Sequence, residues 1–202
     1  MKNVIENLIF WIGSVRFIFH LFIFYFHPKK DILIKERNQW IKVILNSENY
    51  SLYKFIWLLK FIPEYRSVYY FRVGRISHLL RILAYGRESL YLNMPSKDVG
   101  SGLVIQHGFS SIVEAIKIGT NCQIWHNVTI GTNISHSGNN AIIGDNVKVC
   151  AGAIVIGKIR IGNNVTIGAG SLIVKDVPNN CTVIGNPATI IRKNGVPVNM
   201  LL

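Results

Sequence analysis

Three of the six histidines, His107, His126 and His136, lie within one stretch that is otherwise poor in charge. An imidazole titrates near pH 6.5, so a neutral one can take a proton from a hydroxyl as its oxygen attacks an electrophile. A lone histidine beside glycine, as His107 is beside Gly108, is as readily a surface turn residue. The three are too widely spaced for a three-histidine metal site, and no metal is expected. Cys122, Cys150 and Cys181 form no CxxC pair and no even framework. They read as small apolar side chains of a reducing compartment.

The element that must position these histidines is a repeat. Ile118, Ile124 and Ile130 are spaced by six, and after a break so are Ile143, Val149, Val155, Ile161, Ile167 and Ile173. The fifth position of each hexad is small or branched: Cys122, Val128, Val147, Ala153, Val165, Ser171 and Val177. A period of six fits neither a helix nor a free strand. It fits a triangular coil of three short strands per turn, about eighteen residues, with stacked inward side chains and coils about 4.8 Å apart. Gly144-Asp145-Asn146 and Gly162-Asn163-Asn164 supply corners where positive φ is needed. The frame fails between Ile130 and Ile143, thirteen residues where twelve would keep register. The polar segment 132–140 is expected to leave the coil as a loop and to form one wall of an acceptor site.

Before about residue 92 glycine is scarce and apolar residues cluster at helical spacing. Trp40, Ile41, Ile44 and Leu45 mark one helix, Ser51 to Leu59 a second that breaks near Pro63, and Tyr69, Val73, Ile76, Leu79, Leu80 and Leu83 a third. Arg66, Arg72, Arg75 and Arg81 fill other positions around the third. The domains expected are a helical region over 1–91, a coil over 92–190 and a tail over 191–202. Residues 1–100 carry fifteen Lys or Arg against seven acids, a net +8, which calls for an anionic partner. No nucleic-acid motif accompanies the charge, so nucleic acid is not expected. The apolar run Leu8 to Phe26 has three readings. It is barely long enough to span a bilayer, it can lie in the membrane surface beside Lys29, Lys30, Lys35 and Arg37, or it is a buried core helix.

The run Gly102 to Gly108, with Asn127-Val-Thr-Ile-Gly131, Ile143-Gly-Asp-Asn-Val147, Ala151-Gly-Ala153, Ile167-Gly-Ala-Gly-Ser171 and Val183-Ile-Gly-Asn-Pro-Ala188, resembles the hexapeptide-repeat acetyltransferases. The likeness covers roughly residues 63–193. It is nearest to the serine acetyltransferase branch, and within it to the enzymes of capsule and exopolysaccharide genes. The lead-in Pro63 to Arg75 is similar to that of the polysaccharide-associated members. The resemblance implies a mainly β chain with an α-helical N-terminal region, its coil a left-handed parallel β-helix. It implies acetyl-CoA as acyl donor, His107 as catalytic base, and a homotrimer with the donor in the groove between subunits. The backbone around Gly131, Thr132, Ala151 and Ala169 would meet the pantetheine arm, and Lys158, Lys175, Arg192 or Lys193 the phosphates. His126, about one coil beyond His107, is a candidate to contact the acceptor or the pantetheine arm, or else an outward-facing strand residue. His136 and Asn133, in the excursion, are candidates for acceptor binding.

The chain departs from the serine branch at three points. Gln106 stands where those enzymes carry an acid, Ser137 to Ala141 replaces an Asp-Arg-His-Pro element, and Leu92 matches the acid that orients the base. Asp98 or Glu114 is a candidate replacement for that acid, and the alternative is that His107 works unassisted. These losses favour an uncharged acceptor. The expected function is transfer of acetyl to a saccharide hydroxyl, in the cytoplasm or at the inner face of its membrane. Serine O-acetylation is the alternative, and a non-enzymatic trimeric scaffold a distant third.

Overall fold

The computed structural model describes residues 2–132 and 139–202, and among these every side chain except those at 2–4 and 7. The chain forms two compact units, Met1–Gly86 and Arg87–Leu202.

The first unit is helical: α1 (Lys2–Ile12), a 3-10 turn (Val15–Phe17), α2 (Ile18–Phe26), α3 (Lys30–Leu45), α4 (Leu52–Phe61), α5 (Pro63–Val73), a second 3-10 turn and α6 (Ser77–Leu83). The Ser51 hydroxyl accepts the Lys54 N–H and caps α4. Pro63, expected to break a helix, also starts the next one, where its missing N–H costs nothing. The apolar spacing from Tyr69 to Leu83 predicts one helix, but two form. Gly74, at φ 67°, divides them. Arg72, grouped in sequence with three arginines that are wholly or partly exposed, is fully buried. Its Nε donates to Glu36 Oε1 at 2.8 Å, an ion pair whose two side chains are both buried.

The apolar run Leu8–Phe26 is two helices joined through a turn at Gly13 and Ser14. Phe17, His20 and Phe24 face the core, and the ring of Phe24 lies 4.4 Å from that of Phe55. His20 Nε2 is 2.9 Å from the Tyr70 hydroxyl, which itself donates to Ala84 O at 2.6 Å. Tyr70 therefore accepts from the imidazole N–H, and Nδ1 is left bare and buried. Burial, with Arg66 and Arg16 near, pushes the His20 pKa down to about 4.

The second unit is a three-sided coil of parallel strands. Leu90–Leu92, Ser111–Val113, Thr129–Gly131, Ile154–Ile156 and Leu172–Ile173 stack as the first face. Lys117–Ile118, Ile142–Ile143 and Arg160–Ile161 stack as the second, extended by bridges from Val99 and Val177. Val104–Ile105, Gln123–Ile124, Lys148–Val149, Thr166–Ile167 and Cys181–Ile184 form the third. Two antiparallel strands, Thr189–Lys193 and Val196–Leu201, extend the third face through the C-terminal stretch. All nine frame positions of the hexad are buried, as are all seven small or branched ones. Burial raises the Cys122 thiol to about 12, which leaves it an inert core group.

Register corrects one reading of the repeat. Ile130 pairs with Val113 and Val155 on the first face, while Ile143 pairs with Ile118 and Ile161 on the second. The regular step from first to second face is six, as from Val155 to Ile161. The excursion therefore inserts seven residues, rather than one residue beyond two hexads.

Candidate active site at an edge of the coil

The edge between the third and first faces carries His107 and His126. From Ile124 to Ile130 this edge takes six residues, and from Val149 to Val155 six again. From Ile105 to Val113, which pair with Ile124 and Ile130, it takes eight. The two extra residues widen the turn at His107 and Gly108. His107 adopts φ 53°, its carbonyl accepts the Phe109 N–H at 2.6 Å, and its imidazole is exposed. An exposed imidazole on a fixed, widened turn is accessible to an incoming hydroxyl.

His126 sits one coil further on. Its ring stacks on Phe109 with centroids 4.7 Å apart and planes 19° from parallel. It meets His107 edge to face, centroids 6.2 Å apart. Its Nδ1 is buried and has no hydrogen-bond partner. The three rings thus form one cluster, and Phe109 holds the His126 imidazole beside His107. Sequence reasoning missed Phe109. The signal was there in the spacing: Phe109 and His126 are seventeen residues apart, the register offset between Ile112 and Thr129.

Ala151 and Ala169 continue the same column. Asn127, Gly152 and Gly170 donate their N–H groups to the carbonyls of Phe109, His126 and Ala151 at 3.0, 3.0 and 2.9 Å. Two aromatic rings are therefore followed by two methyl groups, and a side chain at Gly170 would meet nothing within 4 Å. The edge becomes shallow and open beyond His126, with room for an extended chain.

The other cofactor candidates do not join this cluster within one chain. Gly131, Thr132, Lys158 and Lys175 lie at the edge between first and second faces, on the far side of the first face. Lys158 is exposed, and Lys175 Nζ donates to Leu202 O at 2.8 Å. Arg192 and Lys193 lie on the antiparallel strand Thr189–Lys193. Asn133 and His136 fall outside the described residues.

Neither acid named as a possible orienting group sits at the His107 edge. Asp98 ends the short turn before Val99 of the second face, and Glu114 follows Val113 of the first. Glu114 Oε1 instead accepts Asn140 Nδ2 at 3.0 Å and so holds the returning end of the excursion. Leu92 is a strand residue paired with Val113. Among the described residues, no carboxylate is hydrogen-bonded to either imidazole.

The coil has the hexapeptide transferase fold. Residues 140–175 match the family model described as bacterial transferase hexapeptide (six repeats). A serine acetyltransferase of Synechococcus elongatus is 41% identical over 128 residues, 62% of this chain and 50% of that protein. One from Staphylococcus aureus strain Mu50 is 41% identical over 106 residues, 52% of this chain and 50% of that protein. This chain spans about half the length of these curated relatives. Among solved structures, serine acetyltransferase of Neisseria gonorrhoeae in complex with serine is 25% identical with a TM-score of 0.61, covering 81% of this chain and 69% of that one.

These findings overturn the expectation of a saccharide acceptor, and with it the nearness to capsule and exopolysaccharide enzymes. Relatives at 37–41% identity and the similar structures are serine acetyltransferases. The residues missing from the excursion do not define what the site accepts.

Proposed function

We propose that this chain is an acetyl-CoA-dependent serine O-acetyltransferase, its coil a left-handed β-helix and its working form a homotrimer. The observation that carries the reading is 41% identity to a serine acetyltransferase across more than half the chain. The ring cluster at the third–first edge supports it with a base in the right setting.

In this reading the serine hydroxyl lies against His107. The neutral imidazole takes the hydroxyl proton as oxygen attacks the thioester carbonyl. The tetrahedral intermediate carries its negative charge on the former carbonyl oxygen. We assign as its donor a backbone N–H at the Gly131–Thr132 edge of a neighbouring subunit, since that edge and His107 are apart within one chain. Collapse breaks the C–S bond. The CoA thiolate leaves with the proton returned by His107, and O-acetylserine is the second product. His126 lies beside the base and binds the acceptor. It takes over part of the carboxylate recognition for which the Arg-His pair of the serine branch is missing. The pantetheine arm runs along Ala151 and Ala169, and Lys158, Lys175, Arg192 and Lys193 are the cations available to the phosphates. The reaction is cytoplasmic.

The test is direct. Purified protein is supplied with acetyl-CoA and L-serine, free thiol is followed with a disulfide reagent, and O-acetylserine is identified by mass. Stoichiometric thiol and O-acetylserine support the proposal. Absence of serine turnover, with robust acetylation of another hydroxyl acceptor, overturns it.

A further inference from the structure

The helical unit exposes an apolar face that its own core leaves uncovered. In α2 the inward positions are His20 and Phe24, and the opposite side presents Phe22 and Phe26 at 60% and 74% exposure. On α6, Leu79 and Ile82 are 67% and 76% exposed. The two faces adjoin. Phe19, Phe22 and Ile23 of α2 and Leu79, Ile82 and Leu83 of α6 line one groove of about 480 Å³, whose lining residues are all apolar. Of the apolar run Leu8–Phe26, only Phe10, Ser14, Phe17, His20 and Phe24 are buried. An apolar surface this continuous marks an interaction site.

Charge decides the occupant. Each apolar run is flanked by exposed cations: Arg16 before α2, Lys29 and Lys30 after it, Arg75 and Arg81 around the exposed residues of α6. The exposed acids nearest in the chain are Glu6 on α1 and Asp31 on α3. Residues 1–86 hold thirteen Lys or Arg against five acids. A second copy docking through the same patch about a two-fold axis would set these cations against their equals. A bilayer with anionic headgroups accepts both features at once, the apolar side chains below the headgroups and the cations among them. The run also does not stand free as a spanning helix, because a turn divides it and Phe17, His20 and Phe24 are packed into the unit.

We infer that the α2–α6 face docks the protein in the plane of an anionic membrane surface. The inference rests on the helical unit alone and does not depend on the acceptor proposed for the coil. The test is flotation of the full-length protein with vesicles of phosphatidylcholine, or of phosphatidylcholine with roughly a third phosphatidylglycerol. Wild type is expected to float with the anionic vesicles, to bind neutral ones at least about tenfold more weakly, and to be released by salt. Two variants at exposed positions are compared after circular dichroism shows them folded: Phe22→Asp with Leu79→Asp, and Lys29→Glu with Lys30→Glu. Both are expected to stay with the soluble fraction. The inference is overturned if wild type does not float with anionic vesicles, or if both variants float as it does. A fall in native mass of the Phe22→Asp, Leu79→Asp protein, with no flotation of wild type, would instead make this face a subunit contact.

Discussion

The backbone at His107, with φ 53°, is one that asparagine tolerates and alanine resists. His107→Asn therefore removes the proposed base without straining the widened turn, and is a cleaner probe than His107→Ala. Turnover is expected to fall by roughly 10² to 10⁴ with little change in melting temperature. Turnover within about twofold of wild type would remove His107 from the chemistry. His20 supports a different prediction. The folded chain does not protonate it until about pH 4, whereas an unfolded histidine does so near 6.5. Stability is thus fully present above pH 6.5 and is lost as pH falls through that window. Linkage sets the loss between pH 7 and 4.5 at about 2 kcal/mol. Urea denaturation of wild type and His20→Gln at the two pH values measures it. The variant keeps an N–H for Tyr70 and should lose about that much less on acidification, and equal losses would refute the assignment.

At the edge between second and third faces the elements are joined by a ladder of side chains. Asn121, Asn146, Asn164, Asn180 and Asn194 all have positive φ. Each amide donates to the next, at 3.5, 3.0, 2.9 and 3.3 Å in order. A second column lies beside it: the side chains of Asp145, Asn163 and Asn179 accept backbone N–H groups one coil away at 2.6, 2.8 and 2.7 Å. The Thr120 N–H bond, then its hydroxyl, holds the Asp145 carboxyl below its usual range. Asn164→Ala loses both ladder bonds and the residue type that accepts this backbone, at a cost of about 1–3 kcal/mol. Asn164→Gly loses only the bonds and should unfold at a denaturant midpoint between those of wild type and Asn164→Ala. Equal midpoints for the two variants would show that the backbone conformation contributes nothing. Much of this was legible in sequence, because an inward side chain every six residues and asparagine at the corners are local requirements of the coil. The divided helix at Gly74 and the burial of Arg72 were not. A single glycine does not announce its φ, and Arg72 is buried only because Glu36, far away in sequence, meets it. Phe109 lies between these cases: its partner is a coil away, and the seventeen-residue spacing to His126 becomes a signal only once the register of the coils is known.

Across the coil as a whole, the candidate groups are divided between two edges. His107, His126, Ala151 and Ala169 share one, while Thr132, Lys158 and Lys175 share another beyond the first face. A single chain therefore does not present the proposed base His107 and the proposed cations Lys158 and Lys175 on one edge. A donor that needs both must take one edge from each of two subunits, which is the physical case for the trimer. Mixing separates this from a site built within one chain. His107→Asn removes the proposed base, and Lys158→Glu with Lys175→Glu removes the two proposed cations of the other edge; each protein alone should be nearly inactive at low acetyl-CoA. Denatured together in equal amounts and refolded, three-quarters of random trimers are mixed, and each mixed trimer has one interface in three where an intact base faces intact cations. Activity should return to about a quarter of wild type. If each site is complete within its own chain, every chain carries one lesion and mixing restores nothing, so an unrecovered mixture of correctly assembled trimers would place both groups in a single subunit's site.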